Sequence, residues 1–307
     1  MFKILLNNKF FENSVVSIGN FDGLHLGHKN LLQELTVVSK KENLTRILIT
    51  FEPTPQEFFH TNSNKKHLGR ISLLRDKFFI LKREDLVDQI IVFKFNKCFS
   101  SLSPKYFIEN ILIKELKTKH VVVGKNWRFG RNAEGTYEDL LKYNIEVSLK
   151  DKLIIDNKIV SSSNIRQAAE INNFEIIQKY LGGNLHFTSK VVHGHKMARK
   201  FGVPTINFNL GKKKLAFWGI YAAYVYIENI RYKAVAGIGK NPTTNNFEIY
   251  KLEAHLLDVD LDLYGKIARV EILYFIREEK KFDSLDELFK TIHKDIECAR
   301  EYFRSLN

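Results

Sequence analysis

The 307-residue chain has very little cysteine and no long apolar run. Its two cysteines, Cys98 and Cys298, lie far apart and form no CxxC pair, which excludes a disulfide scaffold and a cysteine-based zinc site. No apolar stretch approaches the ~20 residues that a membrane span needs. The first residues, MFKILLNNKFFEN, lack the apolar core and the cleavage site of a secretory signal. We therefore expect a cytoplasmic protein with no membrane partner.

Acidic residues are also in deficit. The chain has 48 Lys and Arg against 35 Asp and Glu, a net charge of +13. This balance suits polyanionic ligands, yet a lysine-rich surface explains it more simply. The basic residues form only short clusters, such as those at 212–214 and 280–281, and no basic block. We expect no specific nucleic-acid partner, although a basic nucleic-acid-binding protein stays open as an alternative.

The first half of the chain alternates between strand and helix patterns. Strands are predicted at 15–18, 47–51, 90–93 and 120–124, and helices at 26–39, at 73–82 and from Ser103-Pro104 to about 117. Such alternation predicts a mainly parallel sheet with helices on both faces, which binds ligands at the carboxyl ends of its strands. A last helix at about 164–181 is predicted to stop at Gly182-Gly183, the candidate linker.

The second half has a different pattern. Strands are predicted at 187–193, 219–227, 232–238, 250–257 and 267–275, with no long helix between them. Consecutive strands joined by turns predict an antiparallel barrel or sandwich. A closing helix at 285–303 is predicted to begin with a capping box of Ser284 and Glu287.

The segment GNFDGLHLGH, at 19–28, follows a strand and opens a helix. Glycines there let the backbone approach a ligand, and the helix N-terminus favours phosphate. His25 and His28, three residues apart, can donate hydrogen bonds to phosphate oxygens as negative charge builds on them. A zinc site is the competing interpretation, but no third ligand stands at matching spacing.

A second phosphate-binding pattern lies near residue 162. Ser162 and Ser163 are predicted near a helix start, where hydroxyls and backbone N–H groups hold anions, and Arg166 follows one turn later. On the residues alone, a plain serine cap beside a solvated arginine is an equally good interpretation.

Together these motifs resemble a known family. HLGH resembles the HxGH signature of the nucleotidylyltransferase superfamily, and its context resembles the prokaryotic bifunctional riboflavin kinase/FAD synthetase (FMN adenylyltransferase) family. Three further segments are similar to that family's TFEPHP, VGxNFxFG and SSTxIR motifs: TFEPTP at 50–55, VGKNWRFG at 123–130 and SSSNIR at 161–166. They depart from it at Thr54, Trp127 and Ser163.

The second half resembles the kinase part of the same family. PTIN at 204–207 is similar to its PTAN motif, and GIYA at 219–222, GKNPT at 239–243 and EAHLLD at 253–258 are similar to GVYA, IGxxPT and ExHLLDF. No Walker A pattern occurs in the chain.

The resemblance implies two activities. An N-terminal Rossmann-like nucleotidylyltransferase domain, residues 1–183, would transfer AMP from ATP to FMN and give FAD. A C-terminal riboflavin-kinase-type barrel of six antiparallel strands with a terminal helix, residues 184–307, would phosphorylate riboflavin to FMN. Both reactions are expected to need Mg²⁺, which neutralises triphosphate charge.

The resemblance also implies the site residues. In the adenylyltransferase half, ATP and its phosphates would be bound by Gly19, Asn20, Phe21, Asp22, Gly23, His25, His28, Ser162, Ser163 and Arg166. Asn126 and Arg128 would place the nucleotide and flavin. In the kinase half, ATP would be bound by Gly194, Lys196, Arg199, Gly202, Pro204, Thr205 and Asn207. Thr205 and Asn207 would hold Mg²⁺, and Glu253 would be the catalytic base.

The kinase flap departs from the family pattern. Lys196 and Ala198 stand where the family usually has glycine, which permits close backbone approach to phosphate. This departure motivates an alternative, in which the chain is an FMN adenylyltransferase only and the barrel is reduced to flavin binding.

Overall fold

The computed structural model describes residues 3–5, 12–60, 69–193, 203–210, 213–242, 248–259 and 261–306. By its contacts the chain divides into two compact units. Unit 1 comprises Met1–His67 and Lys77–Ser161, and unit 2 comprises Leu68–Asp76 and Ser162–Asn307. Within the described ranges, no helix has both the length and the apolar character needed to cross a bilayer.

Unit 1 is built on a six-stranded sheet. Its strands are β1 (Lys3–Leu5), β2 (Ser14–Ile18), β3 (Thr45–Glu52), β4 (Gln89–Lys94), β5 (Thr118–Gly124) and β6 (Glu146–Lys150). Their order is β1-β4-β3-β2-β5-β6, with β1 antiparallel at one edge and the other five parallel. A separate hairpin pairs β7 (Ile154–Ile155) with β8 (Lys158–Ile159). The predicted parallel sheet is confirmed.

Helices connect these strands along the chain. They are α1 (Leu26–Glu42), α2 (Pro55–His60), α3 (Leu74–Arg83), α4 (Lys97–Ser100), α5 (Pro104–Tyr106) and α6 (Tyr137–Leu141), with a π-helical stretch at Phe107–Glu115 and a 3-10 turn at Arg131–Ala133. Ser103 caps α5 as predicted, because its Oγ accepts the N–H of Tyr106 at 3.1 Å. Thr54 caps α2 in the same way, for it exchanges hydrogen bonds with Glu57.

The order of the strands locates the ligand crevice of unit 1. The chain leaves β2 for β3 on one side, and later returns to place β5 on the other side of β2. In a doubly wound sheet, ligands bind outside the carboxyl ends of the strands at the point where the order reverses. Here that point lies between Ile18, which ends β2, and Gly124, which ends β5.

Unit 2 contains a closed antiparallel barrel. Its strands are β9 (Leu185–Val192), β10 (Ile206–Phe208), β11 (Gly219–Ile227), β12 (Ile230–Pro242), β13 (Glu248–Leu256) and β14 (Ile267–Arg277). They close in the order β10-β13-β12-β11-β14-β9. The six-stranded barrel is confirmed, and the sandwich alternative is excluded. β10 is absent from the sequence prediction, and residues 239–242, which lie beyond the strand predicted at 232–238, extend β12.

The single helix predicted at about 164–181 is wrong. The structure has two helices there, α7 (Ser162–Glu170) and α8 (Phe174–Leu181). Asn172 between them adopts φ 53°, which breaks the helix, and the side chain of Asn173 accepts the N–H of Ile176 at 3.1 Å to begin the next. Gly182 ends α8 with φ 67°, as the predicted helix stop requires.

Unit 1 ends at Ser161, so α7 and α8 belong to the same compact unit as the barrel. The division of the two activities at residue 183 stays a prediction.

A terminal helix, α9 (Leu285–Ser305), packs on the outside of the barrel. Ala299 and Phe303 join Ala222 and Leu273 of the barrel wall in one apolar cluster. Ser284 caps the helix as predicted, accepting the N–H of Glu287 at 3.2 Å. The reciprocal half of the predicted capping box is absent, because the Glu287 carboxylate pairs with Lys280 Nζ at 3.1 Å.

Candidate active sites

The loop between β2 and α1 is tightly constrained. Phe21, Gly23 and Leu24 all have positive φ, at 47°, 85° and 43°. Such backbone is costly for residues other than glycine and marks functional loops. Asn20 O accepts Thr50 Oγ1 at 3.2 Å and Lys77 Nζ at 2.6 Å, so the loop is tied to its surroundings by its backbone.

This loop brings His25 and His28 together. Their rings stack with centroids 3.6 Å apart. His25 is the N-cap of α1, and its Nδ1 lies 3.3 Å from the backbone nitrogen of His28, from which it accepts a hydrogen bond. Since Nδ1 of a neutral His25 is an acceptor, its proton is on Nε2.

His28 is held neutral. Burial lowers its pKa well below the ordinary value, and the nearby His25 and the charge of Lys77 lower it further. Its Nδ1 is buried and has no hydrogen-bond partner among the described residues. A buried, neutral imidazole with an unsatisfied nitrogen is a ready partner for a ligand.

Gly27 is required for this arrangement. A Cβ on Gly27 would lie 3.1 Å from the His25 ring and 3.2 Å from Val160 O. Both distances are tighter than ordinary van der Waals contact. The third position of HLGH is therefore glycine for a packing reason.

Sequence reasoning missed Lys77, which is only 1% exposed. Lysine is rarely buried unless its charge has a partner. The signal was available, because Lys77 lies four residues after Leu73 and four before Leu81, on the buried stripe of α3.

The other residues predicted for unit 1 lie at the same edge of the sheet. Asn126 and Arg128 follow β5, whose neighbour β2 leads into the histidine loop, and both are exposed. Trp127 between them stacks on Phe129 with centroids 4.6 Å apart. Asp22 is buried, at 5% exposure.

The predicted phosphate residues near 162 fall in unit 2. Ser162 and Ser163 begin α7, two residues earlier than expected. Arg166 is not the solvated side chain of the plain-cap interpretation: it is 8% exposed, and its Nε donates to Gly69 O at 2.8 Å. Gly69 is 97 residues away in the chain, so no local pattern could predict this contact.

Unit 2 carries the other predicted site on one face of β13. In the antiparallel pairing of β10 with β13, Asn207 lies directly opposite Glu253. Ile206 and Phe208 are buried, so the alternation of the strand turns Thr205 and Asn207 to the same side as Glu253.

A cavity of about 330 Å³ lies at this face. Its lining includes Thr205, Glu253, Arg277, Phe282 and Asp295. The volume is in the range of small-molecule pockets.

Two further residues of β13 line this cavity, and sequence reasoning assigned them no role. Lys251 Nζ lies 2.5 Å from Glu253 Oε1, and His255 Nδ1 lies 2.8 Å from Pro204 O. Both are two residues from Glu253, and this spacing on a strand puts side chains on one face. His255 thereby holds the turn that precedes Thr205.

Comparison with known proteins decides the family. Residues 7–164 match the family model described as FAD synthetase, and residues 181–303 match the one described as riboflavin kinase. Curated proteins named bifunctional riboflavin kinase/FMN adenylyltransferase match along the chain. That of Buchnera aphidicola subsp. Schizaphis graminum is 38% identical over 96% of both chains. That of Escherichia coli K12 is 36% identical over 95% of this chain and 93% of its own.

The chain belongs to the bifunctional riboflavin kinase/FMN adenylyltransferase family. It phosphorylates riboflavin with ATP to give FMN, and it transfers AMP from ATP to FMN to give FAD and pyrophosphate. A crystal structure of a protein named macrolide-efflux protein from Streptococcus pneumoniae is also similar, with 32% identity and a TM-score of 0.75 over 94% of both chains.

The kinase flap of this family member is not described. Gly194, Lys196, Arg199 and Gly202, which were predicted to bind ATP, lie outside the described residues. Their roles stay predictions, and so does the effect of Lys196 and Ala198 in place of the usual glycines.

Proposed function

We propose that the loop of His25 and His28 is the centre of adenylyl transfer. In this reaction an oxygen of the FMN phosphate attacks the α-phosphorus of ATP, and the bond to pyrophosphate breaks. Negative charge builds on the oxygens around that phosphorus. The neutral imidazoles would donate hydrogen bonds to them, His25 through Nε2.

Lys77 would supply the positive charge that two neutral histidines lack. Its ammonium is buried, it bonds Asn20 O, and it is close enough to depress the pKa of His28. In a site shielded from water, a fixed ammonium stabilises phosphate more strongly than a solvated one.

The remaining predicted residues complete this proposal on the strength of the motifs. The loop residues Gly19, Asn20, Phe21, Asp22 and Gly23 would hold the nucleotide, Asn126 and Arg128 would orient it and the flavin, and Ser162, Ser163 and Arg166 would bind phosphate. For Arg166, the Nε–H is already donated to Gly69 O, so only its terminal nitrogens are proposed to contact the ligand.

For the kinase reaction we propose that Glu253 is the general base. Its carboxylate would take the proton of the terminal ribityl hydroxyl as that oxygen attacks the γ-phosphorus of ATP, and ADP would leave. Lys251 Nζ pairs with this carboxylate and would help to orient it.

Mg²⁺ fits the residues on this face. Thr205 and Asn207 offer a hydroxyl and an amide oxygen, the hard donors that Mg²⁺ prefers, on the side of the sheet where Glu253 lies. When bound with ATP, the ion neutralises charge on the phosphates. The residues of the chain orient the hydroxyl, accept its proton and hold the phosphates.

The observation that supports this proposal most is that the chain has two separate sets of candidate residues. One set lies in the loop of His25 and His28 at the switch point of the sheet, and the other lies with Glu253 on the outer face of the barrel. Purified Glu253→Gln, with its charge removed and its shape kept, tests the kinase half. We expect it to make almost no FMN from riboflavin while still making FAD from added FMN. Unchanged FMN formation would overturn the assignment of Glu253.

We further propose that the protein is cytoplasmic, where riboflavin, FMN and ATP would all be available to it. We also propose that it has no specific nucleic-acid partner. The net charge of +13 is spread over the chain, and salt at physiological concentration screens such a surface.

A further inference from the structure

A cluster of three metal-ligating side chains lies in unit 1, apart from the histidine loop. It consists of His120 on β5, Glu146 on β6 and Glu42, the last residue of α1. His120 and Glu146 are direct partners in the parallel pairing of their strands. The amino ends of β5 and β6 carry this cluster, whereas the histidine loop follows the carboxyl end of β2.

The imidazole of His120 is oriented toward both carboxylates. Its Nδ1 lies 3.3 Å from Glu42 Oε1 and 3.5 Å from Glu146 Oε2. Neither contact has the geometry of a hydrogen bond, and this Nδ1 is a buried nitrogen with no hydrogen-bond partner in the described part of the chain. The residue itself is only 6% exposed. A buried, unpartnered nitrogen aimed between two carboxylates calls for a ligand.

The other ring nitrogen is already engaged. His120 Nε2 lies 2.8 Å from Ser148 Oγ. A proton on Nε2, donated to the serine, leaves the lone pair of Nδ1 facing the carboxylates. A hydrogen bond from the second nitrogen is the usual device that orients a metal-binding histidine.

The distances suit a tetrahedral cation. With metal–ligand bonds of about 2.0–2.1 Å, tetrahedral geometry separates neighbouring ligand atoms by about 3.3–3.4 Å. The two distances from Nδ1 agree with this value, and all three ligand atoms lie within 4.8 Å of one another. The Glu146 side chain is 72% exposed, so a change of rotamer can bring its carboxylate closer to the other two ligand atoms.

The charges around this cluster also favour a bound cation. Glu42 ends α1, where the helix dipole is negative and a carboxylate is unfavourable unless a cation offsets it. Within the described ranges, no lysine or arginine pairs with Glu42 or Glu146. The two carboxylates therefore lack any counter-charge other than the one His120 or a bound ion supplies.

We propose that Glu42, His120 and Glu146 bind a divalent transition cation, with Zn²⁺ the best match. One imidazole nitrogen and two carboxylate oxygens are ordinary zinc ligands, and the nitrogen disfavours Mg²⁺. The cation ties the end of α1 to β5 and β6. It serves the stability of unit 1, not the transfer reactions.

The test is Zn²⁺ binding by the full-length protein after treatment with EDTA, measured by competition with a chromophoric chelator. Glu146→Gln removes a ligand at an exposed position, so folding is preserved. Glu12→Gln makes the same charge change at an exposed glutamate outside the cluster and is the matched control. We expect one Zn²⁺ per chain to be bound at least tenfold more weakly by Glu146→Gln, and unchanged by Glu12→Gln.

Two further readouts separate a cation site from an ion pair. Co²⁺ in place of Zn²⁺ should give the visible absorption bands of a tetrahedral complex, and these should disappear in Glu146→Gln. Zn²⁺ should raise the Tm of the wild type and of Glu12→Gln, but not that of Glu146→Gln. Equal Zn²⁺ affinity in all three proteins would overturn the proposal, and the cluster would then be a histidine between two carboxylates that binds no cation.

Discussion

The imidazole rings of His25 and His28 stack at an interplanar angle of 18°, with their centroids 3.6 Å apart. At this distance one ring cannot gain a proton without raising the cost for the other. Burial removes the solvent that would screen the charge, and the pKa of His28 is lowered accordingly. The loop thus presents hydrogen-bond donors of low charge, and Lys77 supplies the cation.

Neutral His28 predicts how the stability of unit 1 depends on pH. Between the lowered folded pKa and the unfolded pKa of about 6.5, the unfolded chain binds more protons than the native state. The contribution of His28 is therefore complete above pH ~6.5 and is lost as the pH falls below it, with a slope of up to ~1.4 kcal/mol per pH unit.

Denaturant unfolding at each pH, followed by Trp127 fluorescence, measures this slope. The Trp218→Phe background leaves Trp127 as the only tryptophan in the chain. In that background we expect His28→Asn to flatten the increase in unfolding free energy between pH ~5 and ~6.5. His293→Asn, at an exposed position on α9, should not. An unchanged slope in His28→Asn would mean that His28 titrates normally.

Gly27→Ala should impair adenylyl transfer through packing alone. The added methyl must displace the His25 ring or Val160 O, from which it would lie 3.1 and 3.2 Å. We expect FAD formation from FMN to fall about tenfold, the equivalent of ~1.4 kcal/mol in the barrier. Val37→Ala, at an exposed position of the same helix, is the control. Equal rates for the two variants would contradict the packing argument.

Lys77→Met tests the buried ammonium. The apolar side chain retains the volume and removes the charge, so we expect FAD formation to fall about a hundredfold, or ~3 kcal/mol. FMN formation from riboflavin should persist. Lys82→Met, at an exposed position of the same helix, should leave both rates unchanged. Wild-type FAD formation by Lys77→Met would show that its charge is structural only.

The buried ion pair in the lining of the kinase cavity should stabilise unit 2. Arg277 donates to both oxygens of Asp295, at 2.8 and 2.7 Å, and Asp295 is 4% exposed. We expect Asp295→Ala to lower the free energy of unfolding by about 3 kcal/mol, because it leaves a charge unpaired. Trp218 fluorescence in a Trp127→Phe background reports this unit.

The matched control is Asp258→Ala, which breaks a similar pair at the surface. Arg300 also contacts both oxygens of Asp258, but this carboxylate is 66% exposed. We expect a much smaller loss there, because solvent screens an exposed ion pair. Equal losses at the two positions would mean that burial adds nothing to the Arg277 pair.

The strong patterns in the sequence predicted most of the elements. Gly219–Ile227 has the predicted bounds, because the strand is long and its apolar positions are continuous. β10 escaped prediction because only three residues, Ile206–Phe208, pair after Pro204. The break between α7 and α8 escaped as well, since it depends on one residue, Asn172, taking positive φ within a helical pattern.

The sequence predicted those site residues that lie within recognisable motifs. His25, His28 and Glu253 stand in recognisable segments. Lys77 and Lys251 do not, and their roles come from tertiary burial and from a strand neighbour. The bond from Arg166 to Gly69 O joins residues 97 apart, and only the folded chain brings them together.

The central claim is that two sites made of different residues carry out the two reactions, so that FMN made at one site can be used at the other. It is tested most directly by mixing two variants, each deficient in one site. His28→Ala should convert riboflavin to FMN and stop, losing about a hundredfold in FAD formation. Glu253→Gln should leave riboflavin unconverted yet make FAD from added FMN. An equimolar mixture, given riboflavin, ATP and Mg²⁺ and resolved by chromatography, should make FAD again. Loss of both activities in either folded variant, or a mixture that makes no FAD, would contradict the account.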